Sequence, residues 1–303
     1  MSKSASIISA LLCTFIWGTT FIAQDTGMEN IGPYVFNSVR FFVGFIALIP
    51  FYLFLEKKNT IKIITKNKKR FLILSFSIGV FLFFASVFQQ VALLYTDVAN
   101  AAFFTIFYVP MVPIIVFFLF KKKIHWSVWP SVVLCVIGGY FLTNFQDTTV
   151  RLGDTLVIIC ALFWSLHIIF IGIIIEEFNA PILIGLIQTF VVSVCSLIPG
   201  LIFEEFVLVD ILSQKIQILY AGVLSGGIAF VLQIYAQKNI QPAPSAIIFS
   251  LEGVFATAAA WIILSQILNF NNILGCTFIL IGVLISQLVP EIKKIKRKLY
   301  KTV

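Results

Sequence analysis

Glu252 carries the sharpest chemistry in this sequence. It stands in the apolar run SAIIFSLEGVFATAAAWIILS, about nine residues from the nearest break, and no second carboxylate lies so deep in such a run. In a helix rising about 1.5 Å per residue this is about 13 Å from the end, near the middle of a bilayer. A carboxyl group is costly there and faces protein or water rather than acyl chains. Two uses follow: it exchanges a proton or touches a polar ligand as that ligand passes, or it bridges its helix to a neighbour. Arg40 lies about seven residues inside another apolar run. The plainer expectation is that its long stem snorkels to Asp25 or Glu29; the alternative is that its fork holds the carboxylate of an amino acid or another anion.

His167 follows Trp164 by one helical turn, on the face equivalent to Trp17 and Thr20. With no second ligand at metal spacing it predicts no metal site, and it reads either as a core histidine or as part of a cavity wall. Gln89 and Gln90, Gln188, and Gln233 with Gln237 form a second polar set, the last two sharing one helix face. Buried amides bridge helices or supply the few oriented contacts of a mostly apolar pocket. Trp17, Tyr108 and Trp164 add aromatic faces suited to amphipathic organic molecules. Pro110 and Pro113, each without an amide hydrogen, and Gly253 mark two runs as broken helices. The substrate-contact candidates are therefore Trp17, Thr20, Arg40, Gln89, Tyr108, Trp164, His167, Gln233 and Gln237. Glu252 is the candidate for proton coupling or helix bridging, and Pro110, Pro113 and Gly253 are the candidate helix breaks.

The elements that must position these residues follow from composition. The chain has 303 residues, of which 60% are hydrophobic and 11% charged, with a mean hydropathy of +1.06. A water-soluble domain carries about a quarter charged residues, so the expectation is an all-α integral membrane protein. The 33 Phe residues suit lipid-facing helices. Cutting where charge and turn residues cluster gives ten runs, 6–24, 33–55, 71–94, 98–120, 127–144, 153–175, 180–203, 216–237, 243–266 and 272–289. The first is too long for a signal-peptide core and reads as a retained span. The five cysteines lie in apolar runs without paired spacing and read as packing residues. Trp126 and Trp129 read as interface anchors. The glycines 222 and 226, and the alanines 256 and 260, read as close-packing pairs.

Orientation follows from the lysines and arginines. Along an alternating path eighteen of them fall on the side of the N-terminus, against Arg151 and Lys215 on the other. The basic side is cytoplasmic, which places both termini there, in a multi-pass protein expected in a bacterial cytoplasmic membrane. This placement also accounts for the net charge of +8 without nucleic acid. The tail 291–303 reads as a basic segment attracted to anionic headgroups.

The sequence repeats itself. CTFIWGTTFI at 13–22 matches CALFWSLHII at 160–169, pairing Cys13 with Cys160 and Trp17 with Trp164; 100–120 resembles 245–265, and Ile49-Pro50 matches Ile198-Pro199. The division expected is 1–146 and 147–290, each a repeat of five spans, followed by the tail. Because five is odd, the second repeat enters from the opposite face, giving two inverted five-helix repeats with a site near the midplane where they meet.

These residues carry a resemblance to a family. The WG-T-x-F pattern of Trp17 to Phe21, the N-A-A-F stretch of Asn100 to Phe103 and the S-L-E-G-V-F-A stretch of Ser250 to Ala256 resemble the EamA-type branch of the drug/metabolite transporter superfamily, over essentially the whole chain. Gly253 stands where that pattern usually has proline, and Trp164-Ser165 replaces Trp-Gly. The resemblance implies a secondary transporter of small metabolites, commonly an exporter, with a central cavity. The function expected is alternating-access export of amino acids or related compounds, with nucleotide-sugar or drug transport as the alternative and a passive channel a weaker one. An enzyme is disfavoured, since the sequence offers no H-E-x-x-H helix, phosphate loop or nucleophile elbow. The partners expected are a small-molecule substrate, the lipid bilayer and a possible coupling proton; no cofactor or metal is expected, and the oligomeric state is not fixed by these residues.

Overall fold

The computed structural model describes residues 2–58, 60, 67–96, 98–142, 151–263, 265 and 267–299. Among the described residues ten apolar helices follow one another: α1 (Lys3–Thr26), α2 (Pro33–Glu56), α3 (Lys68–Ala92), α4 (Asn100–Phe118), α5 (Val128–Leu142), α6 (Leu152–Phe178), α7 (Pro181–Phe203), α8 (Lys215–Gln237), α9 (Pro242–Ile263) and α10 (Phe270–Ile292). Among the described residues nine of these are long and apolar enough to cross a membrane, and α5 is a shorter apolar helix of 15 residues. The helix of α10 continues to Leu299, so most of the basic tail extends that helix. Lys62, Lys66 and residues 300–303, used above to count charge or define the tail, lie outside the described residues.

The distribution of polarity is reversed from that of a soluble protein. Phe54, Phe203 and Ile262 stand on the outer surface, while Thr14, Gln90, Ser165, His167, Gln188 and Gln233 are fully buried. Lipid is as apolar as leucine, so burying leucine gains little there, whereas polar groups must find partners inside the bundle. Lys3 at the start of α1 pairs with Glu291 at the end of α10, which places both ends of the bundle on one membrane face.

The helices pair in a pattern that is unchanged when each element of the first five is exchanged with its counterpart five places on. α1 packs on α8 and α9, as α6 packs on α3 and α4; α2 packs on α8, as α7 packs on α3; α2 packs on α7 and α5 on α10. Close approach is set by glycine. A methyl group on Gly138 of α5 would meet the Gly275 carbonyl at 2.7 Å, and one on Gly275 would meet the Gly138 carbonyl at 2.6 Å. Gly222 and Gly226 lie against α2 at Arg40 and Gly44, as the close-packing reading expects.

The inversion is visible at the ends of α2 and α7. Pro33 and Pro181 open these helices, fixing φ where no amide hydrogen is needed. The first free amides of α7, from Ile182 and Leu183, donate to the two oxygens of Glu56 at the end of α2, at 2.8 and 2.9 Å. On the opposite face the amides of Tyr34 and Val35 at the start of α2 donate to Glu204 just beyond α7, at 3.0 and 2.7 Å. Each helix thus ends where the other begins, so the equivalent helices of the two repeats are antiparallel. A carboxylate at a helix N-terminus meets both unpaired amides and the positive end of the dipole. Charge-assisted bonds of this kind contribute roughly 1.5–3 kcal/mol. Glu204→Ala and Glu56→Ala are each expected to lower the midpoint of detergent melting by several degrees, with glutamine intermediate. Unchanged melting of both alanine variants would refute the clamp.

Candidate functional site

Two broken helices face each other at the centre. α4 is interrupted at Ile106 and Phe107, between Val98–Thr105 and Tyr108–Phe118. α9 is interrupted at Ser250, between Pro242–Phe249 and Leu251–Ile263. The break in α4 falls four residues before Pro110, where the ring would strike the Ile106 carbonyl and no amide hydrogen is present to bond it. Pro113 instead lies inside the second helical piece, and Gly253 lies within the helix after its break, its amide donating to the Ser250 carbonyl at 3.2 Å. The break in α4 thus lies one turn before Pro110, whereas Pro113 and Gly253 lie inside helical pieces. Thr105 and Ser250 occupy equivalent places. Both hydroxyls turn back on their own helix, to Ala101 at 2.7 Å and Ile247 at 2.7 Å.

Between these breaks stands an aromatic cluster contributed by α1, α6, α8 and α9. Trp17 and Trp164, equivalent in the repeat, have ring centroids 5.6 Å apart. Phe230 touches both, at 5.2 and 5.9 Å, and lies parallel to Trp164 within 9°. His167 sets its edge against Trp164 and Phe230, and Phe249 closes the far side of Trp17.

Polar atoms without partners surround the rings. Tyr108 sets its hydroxyl beside Glu252, yet neither that hydroxyl nor Glu252 Oε1 lies in hydrogen-bond geometry with any protein atom. The same holds for Trp164 Nε1, His167 Nδ1, Gln188 Nε2 and both amide atoms of Gln233. The other ring nitrogen of His167 pairs with Gln188 Oε1 at 2.9 Å. Glu252 also lies within electrostatic reach of Cys13 and Cys160. A buried polar atom without a partner costs about 1–3 kcal/mol, and such atoms are few in folded proteins. Seven such atoms, on Tyr108, Trp164, His167, Gln188, Gln233 and Glu252, are gathered around this aromatic cluster.

The other expected contacts have hydrogen-bond partners within the protein. Thr20 is buried, but its hydroxyl donates to the Ile16 carbonyl of its own helix at 2.5 Å. Gln89 bridges α3 to α4 through Thr105 at 3.2 Å. Gln90 donates to the Gln24 carbonyl at 3.0 Å. Arg40 does not snorkel: it makes no ion pair with Asp25 or Glu29, and its Nε and Nη2 donate to Asn37 at 3.1 and 2.8 Å. Asn37, one turn before it, accepts both bonds and is itself held by Ser86 and Ser196, so the guanidinium is drawn into the bundle.

Gln237 connects the centre to one membrane face. Its Nε2 donates to the Ile168 carbonyl at 2.8 Å, while its carbonyl has no partner. It lines a cavity of about 310 Å³ walled by the ends of α4, α6 and α8 and the start of α9, with Lys122, Lys123, Lys238 and Glu176 around it. That face is the lysine-rich one, with Lys3 and Arg70.

Sequence reasoning missed Phe230 and Phe249, since a phenylalanine among 33 carries no positional signal. It also missed the Glu56 and Glu204 clamps. A signal existed for these: each glutamate follows a helix-opening proline, Pro33 or Pro181, by the same 23 residues.

The comparisons with known proteins agree with this architecture. The chain is 29% identical over 277 residues to an uncharacterized transporter of Archaeoglobus fulgidus, covering 91% of this chain and 84% of that protein. It is 22% identical over 294 residues to the uncharacterized transporter YoaV of Bacillus subtilis, covering 95% and 99%. A protein of known crystal structure superposes on 95% of this chain and 100% of its own with a TM-score of 0.77 at 15% identity, a likeness of fold. The model of the EamA-like transporter family matches twice, over residues 4–144 and 151–288, and the chain belongs to that family.

Proposed function

We propose that this transporter exports small organic metabolites, amino acids or related compounds, by alternating access, with its substrate at the centre where α1, α4, α6, α8 and α9 meet. The observation that carries the reading is the cluster of unpartnered polar atoms on Tyr108, Trp164, His167, Gln188, Gln233 and Glu252 around the rings of Trp17, Trp164 and Phe230. Aromatic faces take the apolar part of such a molecule, and the orphan amides and ring nitrogens take its polar groups. Glu252 is positioned to exchange a proton with the substrate's passage. The lysine-rich face is cytoplasmic by the distribution of basic residues, both termini lie there, and the cavity leading to Gln237 is then the cytoplasmic entrance. A nucleotide-linked sugar would need several cations for its diphosphate, and among the described residues Arg40 is the one cation at the edge of the centre.

The test is uptake of labelled metabolites into vesicles with the lysine-rich face outward, with and without a pH gradient. The reading requires flux that saturates, shows counterflow and responds to the gradient. Flux proportional to concentration at all concentrations would identify a pore instead.

A further inference from the structure

Among the described residues Arg40 is a buried cation without a counter-ion. It is 4% exposed. Its two hydrogen bonds both end on one neutral oxygen, Asn37 Oδ1, although the guanidinium carries five N–H donors. The ion pairs found among the described residues are Lys3 with Glu291 and Arg70 with Glu177, and neither involves it. Glu204, on the face where α2 begins, is committed to the amides of Tyr34 and Val35. What surrounds the charge is aromatic: the guanidinium carbon lies 5.5 Å from the Phe36 ring centre and 4.9 Å from that of Phe41.

Phe41 in turn meets Phe230 at 5.9 Å, and Phe230 is the ring shared by Trp17, Trp164 and His167. Arg40 therefore stands at one edge of the central cluster, and Glu252, one of whose oxygens has no partner, stands by Tyr108. Opposite Arg40 the helix α8 is wound as a wider π-helix over Tyr220–Ala229, with Gly222 packed on the Arg40 carbonyl. Such widened turns occur often at functional sites. An ionised group inside a membrane protein that has no internal partner marks a ligand path, and the planar fork of arginine matches a carboxylate through two parallel bonds.

We propose that Arg40 recognises the carboxylate of the transported molecule, which serves as its counter-ion. The inference rests on the transport reading above, since a permanent partner would belong to the chain. It assigns the substrate class as carboxylate-bearing, on the side of the centre away from the lysine-rich cavity. Asn37 holds the fork in place.

Matched probes test this on the purified full-length protein. Melting in detergent is followed with phenylalanine, with phenethylamine, which lacks only the carboxylate, and with inorganic phosphate. Phenylalanine is expected to raise the melting temperature of the unaltered protein and phenethylamine to leave it unchanged, with phosphate well below phenylalanine. In Arg40→Gln the apparent affinity for phenylalanine is expected to fall by about tenfold or more, and in Arg40→Lys, which keeps the charge without the fork, by less. The comparison in the unaltered protein stands even if Arg40→Gln does not fold. Equal stabilisation by the amine, no stabilisation by the carboxylate, or a stronger effect of phosphate overturns the proposal. Counterflow in vesicles separates the two readings: saturable flux that ignores the carboxylate removes the role of Arg40 alone, and absence of saturable flux removes the transport reading.

Discussion

Glu252→Gln is expected to abolish the response of transport to a pH gradient, lowering gradient-driven accumulation by at least about tenfold, while counterflow at equal pH persists. The amide keeps the size and shape of the side chain but cannot release a proton. Glu252 is 6% exposed and one of its oxygens has no partner, so removing its ability to carry charge leaves no ion unpaired. The variant protein is therefore expected to melt at the same temperature or higher, because an uncompensated acid in an apolar interior costs stability. Accumulation in proteoliposomes at two values of the gradient, beside melting of the same preparation, checks both halves. An unchanged response to the gradient removes Glu252 from the coupling step; a sharp fall in melting temperature would instead identify it as a bridge between helices.

The second large effect is expected at Gly18. A methyl group there would lie 2.5 Å from the Glu252 carbonyl oxygen, 2.7 Å from Phe255 Cβ and 2.8 Å from the Ala256 amide nitrogen. Two of these are backbone atoms, which cannot turn aside, so Gly18→Leu must force α1 away from α9 beside the central rings. Overpacking of this kind costs typically 1–3 kcal/mol and more where backbone is met. The expected outcome is a large loss of folded protein, read as the monodisperse fraction after detergent extraction. Gly253→Ala is the control. Its methyl group would meet only Leu142 Cδ1 at 3.3 Å and Ile106 Cδ1 at 3.5 Å, flexible side-chain ends, and alanine is the better helix former, so its yield should match that of the unaltered chain. Equal yields for Gly18→Leu and the control would show that the α1–α9 contact is looser than described.

The fold was legible because each of its signals is strong and local. Apolar runs set the crossings, and the match of Trp17 with Trp164 at a constant offset set the inverted repeat. The two indoles indeed meet, as residues at equivalent places near a shared axis must. The site was legible in part. Tyr108, His167, Gln233 and Glu252 stand out as polar groups in apolar runs, and they gather at the centre. Thr20 and Arg40 stood out for the same reason, yet run length gives depth and not side-chain direction. Which way Arg40 turns is decided by Asn37, three residues earlier, and by the serines that hold it. Phe230 had no signal at all, because an apolar residue in an apolar run is indistinguishable from its neighbours until the helices are packed. The break in α4 stands at Ile106 rather than at a proline because the proline ring acts four residues upstream of itself.

Alternating access requires that both faces of the membrane reach the same buried centre in turn. The most direct measurement replaces the five native cysteines, introduces Gln233→Cys beside the rings of the cluster, and applies a membrane-impermeant thiol reagent from one face or the other of oriented vesicles. Labelling is expected from either face, with conditions that favour reaction from one suppressing reaction from the other. Labelling from neither face under any gradient, or from both at once without exclusion, would contradict it.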